Sequence, residues 1–172
     1  METSYTVKTP KGEFSLKREG FTELGFTMCL PEFLADLSED ERREKLPASQ
    51  QSAVAKTDSD SRVSFVLHQA NIDMKHDLDD DALTTSLMAE QKQAISRLAP
   101  GYRYCETLSK KINDHTVICL EFISNALDGD LYNIFFLLVH EGRMIFGTFS
   151  CKFEDAGEMN YVFLMCLNTL QF

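Results

Sequence analysis

Hydrophobic and polar residues alternate along much of the chain, and this alternation predicts strands. Near the beginning, residues 5–7 and 14–16 alternate on either side of the turn residues 10–12, which predicts a small hairpin. Two further strands are expected at residues 24–30 and 62–69, because each segment places apolar side chains at every second position. A short strand is also expected at residues 53–55. The first part of the chain is therefore predicted to be mainly β-structure.

Three segments carry helix signals instead. Residues 38–46 are expected to form a short charged helix, because a Ser-x-x-Glu capping box opens the segment. A longer helix is predicted between the acidic cap at 80–81 and the Pro-Gly pair at 100–101. Its apolar residues recur with the helical period, at Leu83, Leu87, Ala94, Ile95 and Leu98. A last helix over residues 155–172 is apolar on nearly all sides, so we expect it to be deeply buried.

Four closely spaced strands are predicted between the second and third helices. They cover residues 102–108, 117–124, 131–140 and 144–151, with tight turn signals between them. The third of these strands is an almost continuous apolar run, so both of its faces should be covered. We therefore predict an α+β fold, a three-layer α/β/α sandwich with a mostly antiparallel sheet. A single domain is expected over 1–172, with 1–20 as a hairpin extension and 21–172 as the sandwich core.

The charge of the chain excludes several classes of partner. The net charge is −10 and the isoelectric point is about 4.8. Nucleic-acid binding needs a basic face that neutralises phosphates, and anionic lipid surfaces need clustered lysine and arginine. No apolar run approaches the ~18 residues that span a bilayer. We expect a soluble protein that binds neither nucleic acid nor membrane, and its oligomeric state stays open.

The five cysteines are expected to be reduced and buried. Their number is odd, none is spaced Cys-x-x-Cys, and each lies in an apolar run. The first residues lack a basic region followed by an apolar stretch, so no secretory signal is expected. Both observations favour a cytoplasmic protein.

The sequence offers little support for a metal or cofactor. Residues 77–81 resemble the start of a calcium loop, but the required glycine is replaced by Ala82 and the twelfth position is Met88. A charged helix start is the preferred interpretation. The four histidines show no zinc-ligand spacing, and no glycine-rich phosphate loop is present. We expect no cofactor.

Nucleophilic catalysis has only weak candidates. No Gly-x-Ser-x-Gly elbow and no catalytic-cysteine signature occur. Cys119 and Cys151 could lie near His115 or His140 in space, but a buried thiol in a sheet is the preferred interpretation. Both histidines are expected to be exposed, at a turn and at a strand end. We expect a protein that is not an enzyme.

The second half of the chain resembles a known structural group. The resemblance rests on residues 112–117, 127–133, 142–147 and 170–172, together with the Leu-Pro-Glu-Phe opening at 30–33. This pattern is similar to the Mog1/PsbP-like α/β/α sandwich group, including its bacterial branch of domains of unknown function, over residues 21–172. Better-known members bind other proteins, namely a small GTPase, photosystem subunits or secreted effectors. The resemblance implies a binding, adaptor or chaperone-like role and supplies no active-site residue.

The leading hypothesis is therefore a cytosolic protein-binding domain without enzymatic activity. An alternative is a binder of a small molecule or an apolar peptide segment between the sheet and the last helix. The residues expected to line that site are Phe135, Phe146, Phe149 and Phe163. A third hypothesis is a hydrolase-type enzyme, which would need His115, Cys119 and His140 to meet in one cleft.

Overall fold

The structure is a computed structural model that describes residues 4–46, 54–72 and 80–172. The strands are β1 (Ser4–Thr9), β2 (Gly12–Phe21), β3 (Phe26–Pro31), β4 (Ala35–Asp36), β5 (Val54–Thr57), β6 (Val63–Asn71), β7 (Arg103–Ile112), β8 (His115–Ala126), β9 (Gly129–His140) and β10 (Arg143–Lys152). The helices are α1 (Glu39–Lys45), α2 (Asp80–Leu98) and α3 (Ala156–Asn168). The predicted order of elements is confirmed. The two-residue strand β4 is the addition, and residue 53 of the short strand expected at 53–55 lies outside the described residues.

The strands form two sheets rather than the one that was expected. β1, β2 and β3 make a three-stranded sheet, and the other strands make a seven-stranded sheet in the order β4-β5-β6-β10-β9-β8-β7. Every pairing between neighbouring strands is antiparallel. β9 lies between β10 and β8, and its residues 132–139 are all buried, as its continuous apolar run predicts.

The seven-stranded sheet is covered differently on its two faces. The larger core lies on one face, where α3 and the small sheet share the covering. The Phe163 ring of α3 stacks on Phe149 at 4.7 Å, and Phe21 of β2 lies 6.4 Å from Phe65 of β6. The opposite face carries a smaller core, where α2 lies over β8 and β9. The predicted α+β sandwich with helices on both faces is confirmed.

Two tight turns lie at one end of the seven-stranded sheet, between β7 and β8 and between β9 and β10. Asn113 and Asp114 both have positive φ, as do Glu141 and Gly142, and each pair forms a two-residue hairpin turn.

The predicted capping box at α1 is also present. The Ser38 hydroxyl accepts from the Glu41 N–H, and the Glu41 carboxylate accepts from the Ser38 N–H at 2.8 Å.

The expectation about the end of the last helix was wrong. The last helix stops at Asn168 instead of continuing to residue 172. Beyond it, Gln171 exchanges two backbone hydrogen bonds with Thr27 of β3, at 2.8 and 3.0 Å. These bonds satisfy backbone groups at the edge of the small sheet, so the chain leaves the helix to pair with β3.

Cys105 was expected to be buried but is exposed, whereas the other four cysteines are buried. It lies on β7, at the edge of the large sheet, where the register with β8 shifts between Tyr104 and Glu106. A strand at a sheet edge that carries such an irregularity leaves the extra residue outside the regular pairing. Arg103 and Glu106 flank Cys105, so its surroundings in the sequence are not the apolar run on which the expectation rested.

Candidate functional site

The structure separates the four phenylalanines that were predicted to line one site. Phe149 and Phe163 are fully buried in the larger core, where their rings stack between the sheet and α3. Phe135 and Phe146 lie on the opposite face of the sheet, with ring centroids 5.9 Å apart. The space under the last helix at Phe149 and Phe163 is thus packed interior. Phe135 and Phe146 instead line a groove beside α2.

This groove, which we call the α2 groove, lies between the C-terminal half of α2 and strands β6, β8, β9 and β10. Its volume is about 410 Å³, which lies within the range of ligand pockets in proteins. The lining residues are Val66, His68, Gln91, Ala94, Ile95, Leu98, Ala99, Phe122, Phe135, Phe146 and Thr148. Most of these side chains are apolar or aromatic, as is typical of a binding site for an apolar group.

The position of α2 explains why the groove is open. α2 lies over β8 and β9, while Val66 of β6 and Phe146 of β10 remain half-buried on the same face. On the helix side, Ala94 and Ala99 are too short to fill the space above these strands. Leu98 was predicted to belong to the buried face of α2, but it is 80% exposed. An apolar side chain at the edge of an apolar groove is available to a ligand.

The polar side chains of the groove are uncharged at neutral pH. His68 stacks on Phe146 with ring centroids 5.1 Å apart, and burial lowers the pKa of His68 below its usual value. Gln91 and Thr148 are neutral at any physiological pH, and they complete the polar part of the lining. The groove therefore offers hydrogen-bonding groups within an apolar surface and no fixed charge.

A second cavity has a different character. It measures about 290 Å³ and lies between the β1–β2 hairpin and the beginning of α3. Phe14 and Phe33 line one side, and Arg62 and Asp155 line the other. The Arg62 guanidinium donates to Asp155 at 2.8 Å and also pairs with Glu154. Asp58 and Glu158 also line the cavity, so its lining carries one guanidinium and three carboxylates, unlike the uncharged α2 groove.

The three residues proposed for catalysis meet only in part. The Nε2 atom of His115 lies 3.0 Å from the Nδ1 atom of His140. Neither histidine is exposed as expected, because His115 is half-buried in β8 and His140 is 12% exposed. Cys119 is buried, and burial raises the pKa of its thiol to about 12. A thiol with such a pKa stays protonated at neutral pH, so it is a poor nucleophile.

The acidic run at 77–81 lies largely outside the described residues, and only the side chain of Asp81 is described. Asp81 accepts from the Thr116 hydroxyl and pairs with Lys111 at 3.1 Å, and these contacts lower the pKa of its carboxyl group. Across the described part of the chain, no group of three or more potential ligands is placed to hold a metal ion. No described helix is long and apolar enough to cross a membrane.

The sequence missed the strand and helix residues that complete the α2 groove, namely Val66, His68, Ile95 and Leu98. Each has an ordinary explanation in the sequence, since Val66 and His68 alternate in a strand and Ile95 and Leu98 recur in a helix. A weak signal was available at the end of α2, where Ala94 and, just beyond the helix, Ala99 have small side chains. Such a signal becomes informative only when the strands beneath the helix are known.

Comparisons with known proteins identify the fold. No protein-family model matches the sequence, and no curated protein is significantly similar to it in sequence. The solution structure of cyanobacterial PsbP (CyanoP) from Synechocystis sp. PCC 6803 matches with a TM-score of 0.65 and 12% identity, over 96% of each chain.

Two other solved structures are similar over nearly the whole chain. One is a protein of unknown function from Pseudomonas aeruginosa, with a TM-score of 0.53 and 14% identity, which covers 98% of this chain and 96% of its own. The other is LpqN, involved in cell envelope biogenesis of Mycobacterium tuberculosis, with a TM-score of 0.53 and 9% identity, over 99% and 90% of the two chains. At these identities the likeness concerns the fold alone, and it shows that this chain has the predicted PsbP-like fold.

Proposed function

We propose that this protein is a non-enzymatic binding domain that holds an uncharged, apolar segment of another protein in the α2 groove. The observation that carries the proposal is the α2 groove itself, which has a volume of about 410 Å³. Leu98 is exposed at its edge, and Val66 of β6 and Phe146 of β10 lie half-buried beneath it. None of the three similar structures is named as an enzyme.

The composition of the groove favours a peptide segment over other ligands. A bound peptide buries its apolar side chains against Phe135, Phe146 and Leu98, and its backbone amides need hydrogen-bonding partners. His68, Gln91 and Thr148 offer such partners. A charged ligand would lose its hydration without gaining an opposite charge among the lining residues.

A selection from random peptides displayed on phage tests this proposal with a matched pair of variants. Leu98→Glu places a carboxylate at the edge of the groove, whereas Leu127→Glu makes the same change at a fully exposed leucine in the β8–β9 turn. Both positions are on the surface, so both variants should fold, and circular dichroism checks that they do.

We expect the selected peptides to be apolar and to bind the wild type and Leu127→Glu equally. Binding to Leu98→Glu should be weaker by about tenfold or more, since a charge in a desolvated contact costs at least ~1.4 kcal/mol. Peptides that bind both variants alike would refute the groove as the site. If an apolar dye bound in the groove and no peptide did, a peptide ligand would be refuted and a small apolar ligand would be supported.

The proposed location is the cytoplasm. Cys105 is an exposed free thiol, and all five cysteines are unpaired. Exposed free thiols persist in reducing compartments and are oxidised outside them. Fractionation of native cells, followed by immunoblotting, tests this location directly.

A further inference from the structure

One end of the large sheet, at the β7–β8 and β9–β10 turns, holds a pair of histidines with a defined hydrogen-bond chain. His115 begins β8 and His140 ends β9, and the two antiparallel strands place them side by side. The Nδ1 atom of His115 lies 2.9 Å from the Asn113 carbonyl oxygen, which can only accept. Nδ1 of His115 is therefore the donor, and Nε2 carries the lone pair in the neutral ring.

The second ring continues the chain. Since Nε2 of His115 accepts, the Nδ1 atom of His140, 3.0 Å away, must donate to it. The Nε2 atom of His140 then points to the Gly25 backbone and lies 3.9 Å from the Glu141 carboxylate. The Gly25 N–H already donates to the carbonyls of Phe21 and Thr22, so Gly25 faces His140 with its carbonyl oxygen.

These partners set a limit on the protons that the pair can hold. One proton beyond the neutral pair has a place on the Nε2 atom of His140, opposite the Gly25 carbonyl and the Glu141 carboxylate. A second would have to go to Nε2 of His115, which lies 3.0 Å from the donor Nδ1 of His140. Two donors and two positive charges would then face each other, which forces the rings apart.

Phe172 lies directly on this pair. Its ring centroid is 3.7 Å from that of His115 and 4.8 Å from that of His140. The preceding residue, Gln171, is held to Thr27 at the edge of β3 by two backbone hydrogen bonds. Leu170 is buried in the core, so it anchors the chain just before these two residues.

We propose that the His115–His140 pair is a proton-sensitive clasp, and that its second protonation releases Gln171 and Phe172 from the edge of β3. Separation of the rings removes the surface on which Phe172 stacks, and the buried Leu170 limits the opening to Gln171 and Phe172 among the described residues. Release exposes the backbone groups of Thr27, which make the edge of β3 available for pairing with another strand.

Charged side chains of both signs lie on the elements around the pair. They are Glu23, Asp114, Glu141, Arg143 and Arg18, whose guanidinium donates to the Thr27 hydroxyl at 2.9 Å and to the Thr169 carbonyl at 3.1 Å. Arg143 pairs with Glu141 at 3.1 Å and also donates to the Glu23 carbonyl. Burial lowers the pKa of His140, the charges of His115 and Arg143 lower it further, and Glu141 opposes them.

The sign of the pH effect follows from the geometry of the pair. The closed pair has no place for a second proton, because Nε2 of His115 lies 3.0 Å from the donor Nδ1 of His140, whereas separated rings can hold one extra proton each. The open arrangement therefore binds more protons, and the closed one is favoured at higher pH. Opening is expected on the acidic side.

Nuclear magnetic resonance of the wild-type protein in metal-free buffer tests the clasp. Imidazole shifts report the protonation of each histidine from neutral to acidic pH, and hydrogen exchange reports protection of the Thr27 and Gln171 amides, corrected for the intrinsic rate. We expect two separate titration steps shared by both rings. Protection of the two amides should fall by about tenfold or more with the second step only.

Two variants isolate the role of the pair. His115→Gln cannot take the second proton, so its Thr27 and Gln171 amides should stay protected in acid. His68→Gln removes a histidine on the opposite face of the sheet and should leave the acid response unchanged. Independent titration of the two rings, protection that survives both steps, or an equal loss in His115→Gln would each overturn the proposal. The wild-type titration decides the matter even where a variant does not fold.

Discussion

The division of the four phenylalanines between core and groove predicts a large difference in their contributions to stability. Phe149 is fully buried, with the rings of Phe163, Phe65 and Phe136 at 4.7, 4.8 and 6.0 Å. Replacing it with alanine leaves a cavity that the surrounding rings cannot fill. A Phe→Ala change at such a site costs about 3–5 kcal/mol of the free energy of unfolding.

Phe146 has the same chemistry in a different environment. Its ring lies at the open side of the α2 groove and is half-buried. Truncation there removes roughly half of the apolar contact of a buried ring and extends an existing groove, so the expected cost is about 1–2 kcal/mol. Phe153, which is 51% exposed and belongs to neither core, serves as a control with an expected change of at most ~0.5 kcal/mol.

Urea denaturation measures all three variants. With an m-value of about 2 kcal/mol/M, Phe149→Ala should lower the midpoint by roughly 1.5–2.5 M and Phe146→Ala by about 0.5–1 M. An unchanged m-value would show that the difference lies in stability. If Phe146→Ala were as costly as Phe149→Ala, the groove would be closed packing and the argument for a binding site there would fail.

Two further predictions follow from the glycines and the cysteines. Gly147→Ala should destabilise the protein by about 1–3 kcal/mol in the same assay, because the added Cβ would lie 2.7 Å from the Phe136 ring and 2.8 Å from the Val66 carbonyl. Gly157→Ala in α3 meets no atom within 4 Å and should be neutral or stabilising by up to ~1 kcal/mol, so an equal loss in both variants would contradict this reasoning. In the native protein a thiol reagent should modify Cys105 first and the other four cysteines only on unfolding, and mass spectrometry of the labelled peptides distinguishes these outcomes.

The sequence alone could predict the elements and their order, because those depend on local patterns. The apolar run of β9 required cover on both faces, and the capping box at Ser38 fixed the start of α1. Strand periodicity could also have separated two members of the predicted site. Phe146 and Phe149 are three residues apart on β10, and an odd spacing places them on opposite faces of a sheet.

The location of the groove depends on long-range packing that no local pattern contains. The sequence does not say which helix covers which face, or that Thr27 pairs with Gln171 far along the chain. It also does not say that His115 and His140 become neighbours, although both flank tight turns. That pairing follows only from the order β9-β8 in the sheet, which the turn signals suggest but do not establish.

The unequal covering of the two faces gives a physical reason for a site beside α2. Seven strands at a spacing of about 4.8 Å make a sheet roughly 29 Å across, whereas a helix with its side chains is only about 10 Å wide. On one face, α3 and the three-stranded sheet cover this width together and leave a packed core. On the other face, α2 lies over β8 and β9. The apolar residues of β6 and β10 on that face therefore stay half-buried. Because the N-terminal strands help to cover one face, the α2 face is the one on which a partner can add apolar contact.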